Sequence, residues 1–358
     1  MAEGKYCKIG GAIKAIAGEY TKIGGAIKQG TINAIEIGGA IKQITVAEKM
    51  IFACEQGSDR LYAIDDSYNV IAGWPKYGAD FVDPTDVACD DDNNSYWACA
   101  ASPAGKGVHK IASDGTVIWS QTGHVATVTA ICVDADGYVY TGDAWGRVTQ
   151  LNSAGVVQWS QIPYGSGVYQ VNALAIDYSA GQLYAAYGTA GTGVVRRFQI
   201  ALGNGTQVYT KAANILSIAI DEVTPSLYIG DENGWVQKIS TAGYDYWAGG
   251  VSKGGELYVV RVGHGGYGYY VNGSQGDVEK FSLTDGSRVW IDQPAGTSRG
   301  LAVDQSGHVY SSHGAYGSTN AVIRKNNSSG VEQWTWQPYV NSEWRGVAVS
   351  PGIKAAGF

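Results

Sequence analysis

From about residue 47 the chain is built of short apolar runs, each bounded by Gly, Asn, Asp or Ser, the pattern of strands joined by hairpin connections. The runs recur in a fixed order. Each group closes on a turn carrying a glycine, then three residues, then an aromatic. "SDGTVIW" ends at Trp119, "SAGVVQW" at Trp159, "GNGTQVY" at Tyr209, "TAGYDYW" at Trp247, "TDGSRVW" at Trp290 and "SSGVEQW" at Trp334. With a weaker copy, "NVIAGW" ending at Trp74, there are seven marks, spaced 38–50 residues apart. Three further runs keep the same phase. One ends in Asp before a turn, at Asp90, Asp134, Asp177, Asp221 and Asp304. The next carries an aromatic beside an apolar or second aromatic residue, as in Tyr96-Trp97, Val139-Tyr140, Leu183-Tyr184, Leu227-Tyr228, Tyr269-Tyr270 and Val309-Tyr310. The third reads "RLYAID", "GVHKIA", "RVTQLN", "VVRRFQ", "WVQKIS", "DVEKFS" or "AVIRKN". Four short strands in each repeat of about 40 residues predict the blades of a β-propeller.

The two ends of this region complement each other. "WRGVAVS" at 344–350 matches the first strand of a blade but has no blade after it, whereas the first blade, opening at "KMIFACE" (49–55), lacks that strand. Pairing them closes the ring and removes two exposed edges. The expected fold is all-β: a seven-bladed β-propeller over 47–358, closed by the C-terminal strand 344–350, preceded by an N-terminal array of β-hairpin repeats over 1–46.

That array follows a different rule. Ile9-Gly10-Gly11, Ile23-Gly24-Gly25 and Ile37-Gly38-Gly39 lie 14 residues apart, each followed by Ala-Ile-Lys. Gly-Gly between β-branched residues predicts a two-residue hairpin turn, because the primed turns need φ > 0. Ile9 then faces Ala12 and Lys8 faces Ile13. Such a ribbon is too small to hide its own isoleucines. Ile9, Ile13, Ile23, Ile27, Ile37 and Ile41 are therefore the expected docking residues of an anchor module.

Composition narrows the function. Fifty-one glycines, 11% aromatic and 16% charged residues suit a turn-rich β protein. A formal net charge of −7 leaves no basic surplus for phosphates, so a general nucleic-acid binder is not expected. No stretch is apolar and long enough to span a bilayer, and "MAEGKYCKIGG" has no apolar signal core, so neither membrane insertion nor secretory export is expected. The five cysteines form no C-x-x-C pair and are odd in number, which predicts free thiols, with an intermolecular bond through Cys7 as the open alternative.

Candidate chemistry is sparse. "CDDDNNS" (89–95) clusters oxygen ligands as a calcium loop does, yet Asp90 keeps the phase of the other strand-ending aspartates, so an Asx-type turn is expected. "GHGGYG" (263–268) fits G-x-G-x-x-G, but a strand rather than a helix follows it. The five histidines are scattered, and no Ser-His-Asp or Cys-His order stands out. No catalytic, cofactor-binding or metal-binding residue is assigned, and no cofactor is expected. The in-phase tryptophans are expected in the core. The expected recognition surface is Tyr267, Tyr269 and Tyr270 on the glycine-rich loop, with the off-register Trp145, Tyr164, Tyr187, Tyr316 and Trp336.

Two resemblances bear on these readings. The propeller repeat, with its closing Gly-x-x-x-Trp phrase, resembles the quinoprotein-like propeller superfamily. Quinone dehydrogenases of that kind use an adjacent Cys-Cys pair, and none occurs here. The "YxKxGGxxK" phrases at 6–14 and 20–28, with Ile13, Ile27 and Ile41 where Trp or Val is usual, resemble hairpin repeats of bacteriophage tail-associated proteins. That resemblance implies a non-enzymatic virion protein of the tail or tail fibre, made in the host cytoplasm. Residues 1–46 would dock on other virion proteins, the chain would be oligomeric in the particle, and the propeller would meet a host-surface glycan or protein. The alternative is a bacterial extracellular or cell-surface carbohydrate-binding propeller; a quinone-dependent dehydrogenase is the third.

Overall fold

A computed structural model describes residues 49–100, 107–165, 167–263, 265–294, 296–314, 321–338 and 343–350, and the backbone of six strands within 1–48. Lys49–Pro351 is one compact unit, and Met1–Glu48 belongs to another. In the latter, Lys5–Ile9 pairs with Ala12–Ile16, Tyr20–Ile23 with Ala26–Gln29 and Ala34–Ile37 with Ala40–Gln43, each antiparallel. The side chains of Cys7, Ile9, Ile13, Ile23, Ile27, Ile37 and Ile41 lie outside the described residues, as does Tyr316.

Residues 49–350 form seven antiparallel four-stranded sheets, a seven-bladed β-propeller. In six of them the strands follow chain order from the axis outwards. Blade 2 consists of Pro84–Cys89, Ser95–Cys99, Val108–Ile111 and Val117–Gln121; blades 3 to 7 span 128–161, 170–211, 215–252, 257–292 and 298–336. Blade 1 is made from both ends of this unit: Trp344–Val349 is its innermost strand, followed by Met50–Glu55, Arg60–Asp65 and Lys76–Tyr77. Val347 faces Ala53 and Ala348 faces Phe52 across the junction. The innermost strands neighbour one another in a closed circle.

Burial explains the composition of each strand. The second strand of a blade is covered on both faces, so Ser95–Cys99, Val139–Asp143 and Ser226–Asp231 are buried at every residue. The fourth strand is an outer edge, and Val117–Gln121 and Val157–Gln161 are largely exposed. The strand-ending aspartates close the tight turns between first and second strands. Asp90 Oδ1 accepts the Asp92 and Asn94 amides, and Asp134 Oδ1 accepts those of Asp136 and Tyr138. The second-strand tyrosine then donates to the same carboxylate, at 2.8 Å from Tyr96 and 2.9 Å from Tyr140. These are the bonds of an Asx turn.

The recurrent tryptophans join one blade to the next. Each indole Nε1 donates to a backbone carbonyl in the following blade's outer turn: Trp74 to Ser113 (3.1 Å), Trp119 to Ser153 (2.9 Å), Trp159 to Ile200 (2.8 Å), Trp247 to Thr284 (3.2 Å) and Trp290 to Ser328 (3.1 Å). Trp334 donates to Asp66 across the seam, at 3.1 Å, and so links blade 7 to blade 1. Blade 4 carries Tyr209 at this place and makes no such bond. In three of these turns the ring rests on a glycine. A Cβ at Gly155, Gly203 or Gly330 would lie 2.7–2.8 Å from the ring of Trp119, Trp159 or Trp290.

This arrangement predicts a graded series in urea denaturation. Gly203→Ala combines φ +68° with a clash against Trp159, whereas Gly181 has φ +63° and open space around it. Gly181→Ala is expected to cost about 1 kcal/mol from backbone strain alone, and Gly203→Ala roughly 1–3 kcal/mol more. Trp159→Phe, which keeps a ring but loses the indole donor, is expected to cost about 1 kcal/mol. The midpoint should shift with little change in slope.

Candidate functional site

The seven innermost strands enclose a central cavity of about 660 Å³. One end is shaped by a device repeated in every blade. Each innermost strand slips register by one residue against its neighbour near its start. The bulged residues are Thr85, Thr129, Asn172, Leu216, Tyr258, Arg299 and Arg345, and a β-bulge re-aims the side chain it displaces. All but Leu216 carry a polar group, and all seven line the cavity.

This ring has two chemically distinct parts. In blades 2 to 5 small polar side chains reach across to the next blade. Thr85 Oγ1 donates to the Val128 carbonyl at 2.6 Å, Thr129 Oγ1 to that of Val171, and Asn172 Nδ2 to that of Ile215 at 2.7 Å. Leu216 has no donor, and its neighbour Ser217 makes the equivalent bond to Leu257, at 3.1 Å. In blades 6, 7 and 1 the ring is charged. The Arg299 guanidinium lies 4.6 Å from the centre of the Tyr258 ring, a cation–π contact. Glu343 meets Arg299 at 3.5 Å and Arg345 at 2.8 Å, and Arg345 Nε donates to Gln56 Oε1 at 2.6 Å. Burial and the nearby Arg299 charge hold the Arg345 pKa below its usual value, with Glu343 opposing them.

Deeper in, two further charges face the lumen. Asp86 sits one residue past the bulge of blade 2; its carboxylate accepts from Val87 N at 2.9 Å and Ile131 N at 3.1 Å. Arg261 of blade 6 donates from Nη1 to the Val260 carbonyl at 3.2 Å. Burial raises the Asp86 pKa and Arg261 draws it back down; burial lowers that of Arg261, and Asp86 opposes the change. Cys132, also on the wall, feels both. Burial, followed by Asp86 and Asp134, drives its thiol well above the usual range.

The structure divides the predicted recognition residues. Tyr269 and Tyr270 are buried on the second strand of blade 6, Tyr267–Asn272, and Tyr187 is buried in blade 4. Their place on a recognition surface is corrected: the Tyr269-Tyr270 doublet occupies a strand covered on both faces. Tyr270 donates to Glu279 at 2.8 Å, and Tyr267 is half-buried with Lys280 Nζ 4.1 Å from its ring centre. Trp336 is packed against Tyr62 and Trp344 at the seam between blades 7 and 1. Trp145 remains 45% exposed, on the turn after the second strand of blade 3. Nearby, Tyr164 packs edge-on against Tyr169 and Tyr187, under Arg196, and its hydroxyl donates to Gln207. Gly167 N bonds the Trp145 carbonyl at 3.3 Å, so residues 167–169 and the Trp145 turn form one patch. Turns after second strands and connections between blades lie at the bulged end, so this patch and the arginine mouth share a face. The seven bulges, Asp86 and Arg261 were not singled out from sequence; only the break in strand phase at Arg261, among small residues elsewhere, could have flagged them. Among the described residues no group of three or more His, Cys, Asp or Glu side chains is placed to hold a metal ion.

No family model and no curated protein matches the chain. It is similar in fold to solved propellers. A chain of a structure described as the mitotic checkpoint complex superposes with a TM-score of 0.61 at 16% identity, over 75% of this chain and 83% of that one. The WD40 β-propeller domain of Doa1 gives 0.56 at 11% identity, over 72% and 83%. The likeness is to WD40-type propellers and establishes the fold; membership of the quinoprotein-like superfamily does not follow from it.

The channel-wall thiols provide a chemical test. Burial, then Asp90 and Asp91, pushes Cys89 up to about 12, and burial with Asp86 and Asp134 raises Cys132 well above the usual thiol range. Since the thiolate is the nucleophile, both should resist iodoacetamide at about pH 7.5 in the native chain and react on unfolding. Peptide mass spectrometry reads the difference; native labelling at the unfolded rate would contradict the wall environment.

Proposed function

We propose that this chain is a non-catalytic binding propeller held on a larger particle by residues 1–46, and that the particle is a bacteriophage virion, at its tail or tail fibres. One observation carries the reading: all seven blades take their four strands from residues 49–350, so the threefold phrase of 1–46 is not needed to complete the ring. A segment rich in isoleucine and free of that duty gains by pairing with another protein's sheet or apolar face. Ile9, Ile13, Ile23, Ile27, Ile37 and Ile41 would supply that contact, with the propeller projecting outward and the chain present in several copies.

The face that would do the binding is the bulged end. Tyr164 lies under Arg196 there with Trp145 on the adjoining turn, and Arg299, Arg345 and Tyr258 line the mouth. Aromatics and arginines are the side chains that dominate recognition surfaces. The fold's occurrence within a multiprotein complex supports a protein partner in general terms. A host-surface glycan is the other partner this aromatic patch suits.

Deletion of 1–46 tests the proposal. The truncated chain is expected to keep the near-ultraviolet circular dichroism of a packed propeller and to be absent from purified particles by mass spectrometry. Normal incorporation of the truncated chain would refute the anchor role.

A further inference from the structure

Seven-fold repetition makes the channel wall readable position by position. In each blade one innermost-strand residue pairs with the aromatic of the second strand. Those residues are Ala88, Cys132, Ala175, Ala219, Arg261, Ala302 and Ala348, opposite Tyr96, Tyr140, Tyr184, Tyr228, Tyr269, Tyr310 and Phe52. Six are small and one is arginine. Two residues earlier along the strands the layer reads Asp86, Ala130, Ala173, Ser217, Val259, Gly300 and Gly346. Again a single member is charged. The fold accepts a small or neutral residue at both levels, so neither charge is a requirement of blade packing.

Both charges are costly where they are. Each is partly buried in the channel wall, and the share of solvation it loses there is restored by a charged partner. Asp86 and Arg261 come from well-separated blades and sense each other's charge, yet among the described residues no ion pair within 4.0 Å joins them. Asp86 is oriented by two backbone amides, and Arg261 spends one N–H on the Val260 carbonyl. The remaining donors of Arg261 and lone pairs of Asp86 are left for the lumen. Between them the wall is small and apolar, and the cavity of about 660 Å³ falls in the range of small-molecule sites.

We infer that the channel binds a small zwitterion, an amino acid or a betaine, with its carboxylate on Arg261 and its cationic group on Asp86. The charge pattern selects this class. A lone carboxylate would meet Asp86, and a lone cation would meet Arg261. A molecule carrying both, joined by a short apolar stem, satisfies each group and brings no net charge into the channel. A planar guanidinium accepts a carboxylate in a two-point fork, which fixes the ligand's direction. Small neighbours at the level of Arg261 provide the space. This site does not depend on the particle-anchor reading.

Isothermal titration of the full chain tests it with glycine betaine, L-leucine and γ-aminobutyrate as probes, and acetate and methylammonium as single-ended controls. At least one zwitterion is expected to bind saturably, one per chain, about tenfold or more tighter than either control. Arg261→Gln and Asp86→Asn should each abolish that binding while near-ultraviolet circular dichroism stays native. Absence of binding by all three zwitterions, acetate or methylammonium binding as tightly, or full binding in both variants would overturn the assignment. Should a variant fail to fold, the ranking of zwitterions over single-ended controls on the unaltered chain decides.

Discussion

A tryptophan lying on the next blade's glycine is the contact on which this propeller depends. It does two things at once. The indole donates to a carbonyl of the adjoining outer turn, and the flat ring needs the space that a missing Cβ leaves. Six of the seven blades thereby set the position of the outer edge of the next. The tie from Trp334 to Asp66 carries the series over the seam where the two ends of the propeller unit meet. Individually such a bond contributes about 1 kcal/mol; its importance is that it recurs around a closed ring, where slippage at one blade would strain the rest.

With the outer circumference held by tryptophan and the blades filled by second-strand aromatics, the innermost strands pack one face into the core, as Val87, Ile218 and Val260 do, and leave the other to the channel. The bulge repeated in seven blades turns one side chain per blade towards the mouth. Around blades 2 to 5 those side chains, with Ser217 in place of Leu216, are absorbed by neighbouring carbonyls and stiffen the ring. Around blades 6, 7 and 1 they form the Tyr258, Arg299 and Arg345 cluster, held by Glu343 and Gln56. The asymmetry is chemical, not architectural: a uniform scaffold presents a neutral arc and a charged one. Asp86 and Arg261 repeat that departure from symmetry inside the channel.

Much of the fold was legible along the chain. The Gly-x-x-x-Trp phrase reads directly because its two ends belong to one kind of contact: Gly155 receives Trp119 while Trp159 reaches the next turn, and Gly330 receives Trp290 while Trp334 reaches blade 1. Asp90 could be read as a turn residue because its phase matched Asp134 and Asp304. The surface was harder to read. Tyr269 and Tyr270 looked exposed beside glycines, but a strand covered on both faces carries aromatics at consecutive positions, and phase alone identified them as counterparts of Tyr96 and Trp97. The bulges left no mark in composition, because a register slip is a relation between two strands. Nor could Asp86 and Arg261 be paired in advance, since only ring closure brings blades 2 and 6 to one lumen.

Hydrogen exchange on the native chain, followed by mass spectrometry, tests the closed and strapped ring most directly. The amides of Met50–Glu55 and Trp344–Val349 should be as strongly protected as those of Val139–Asp143 and Ser226–Asp231, because all four segments open only when the ring opens as a whole. Rapid exchange of the closing pair, with the other two strands still protected, would contradict closure as the constraint that holds the propeller together.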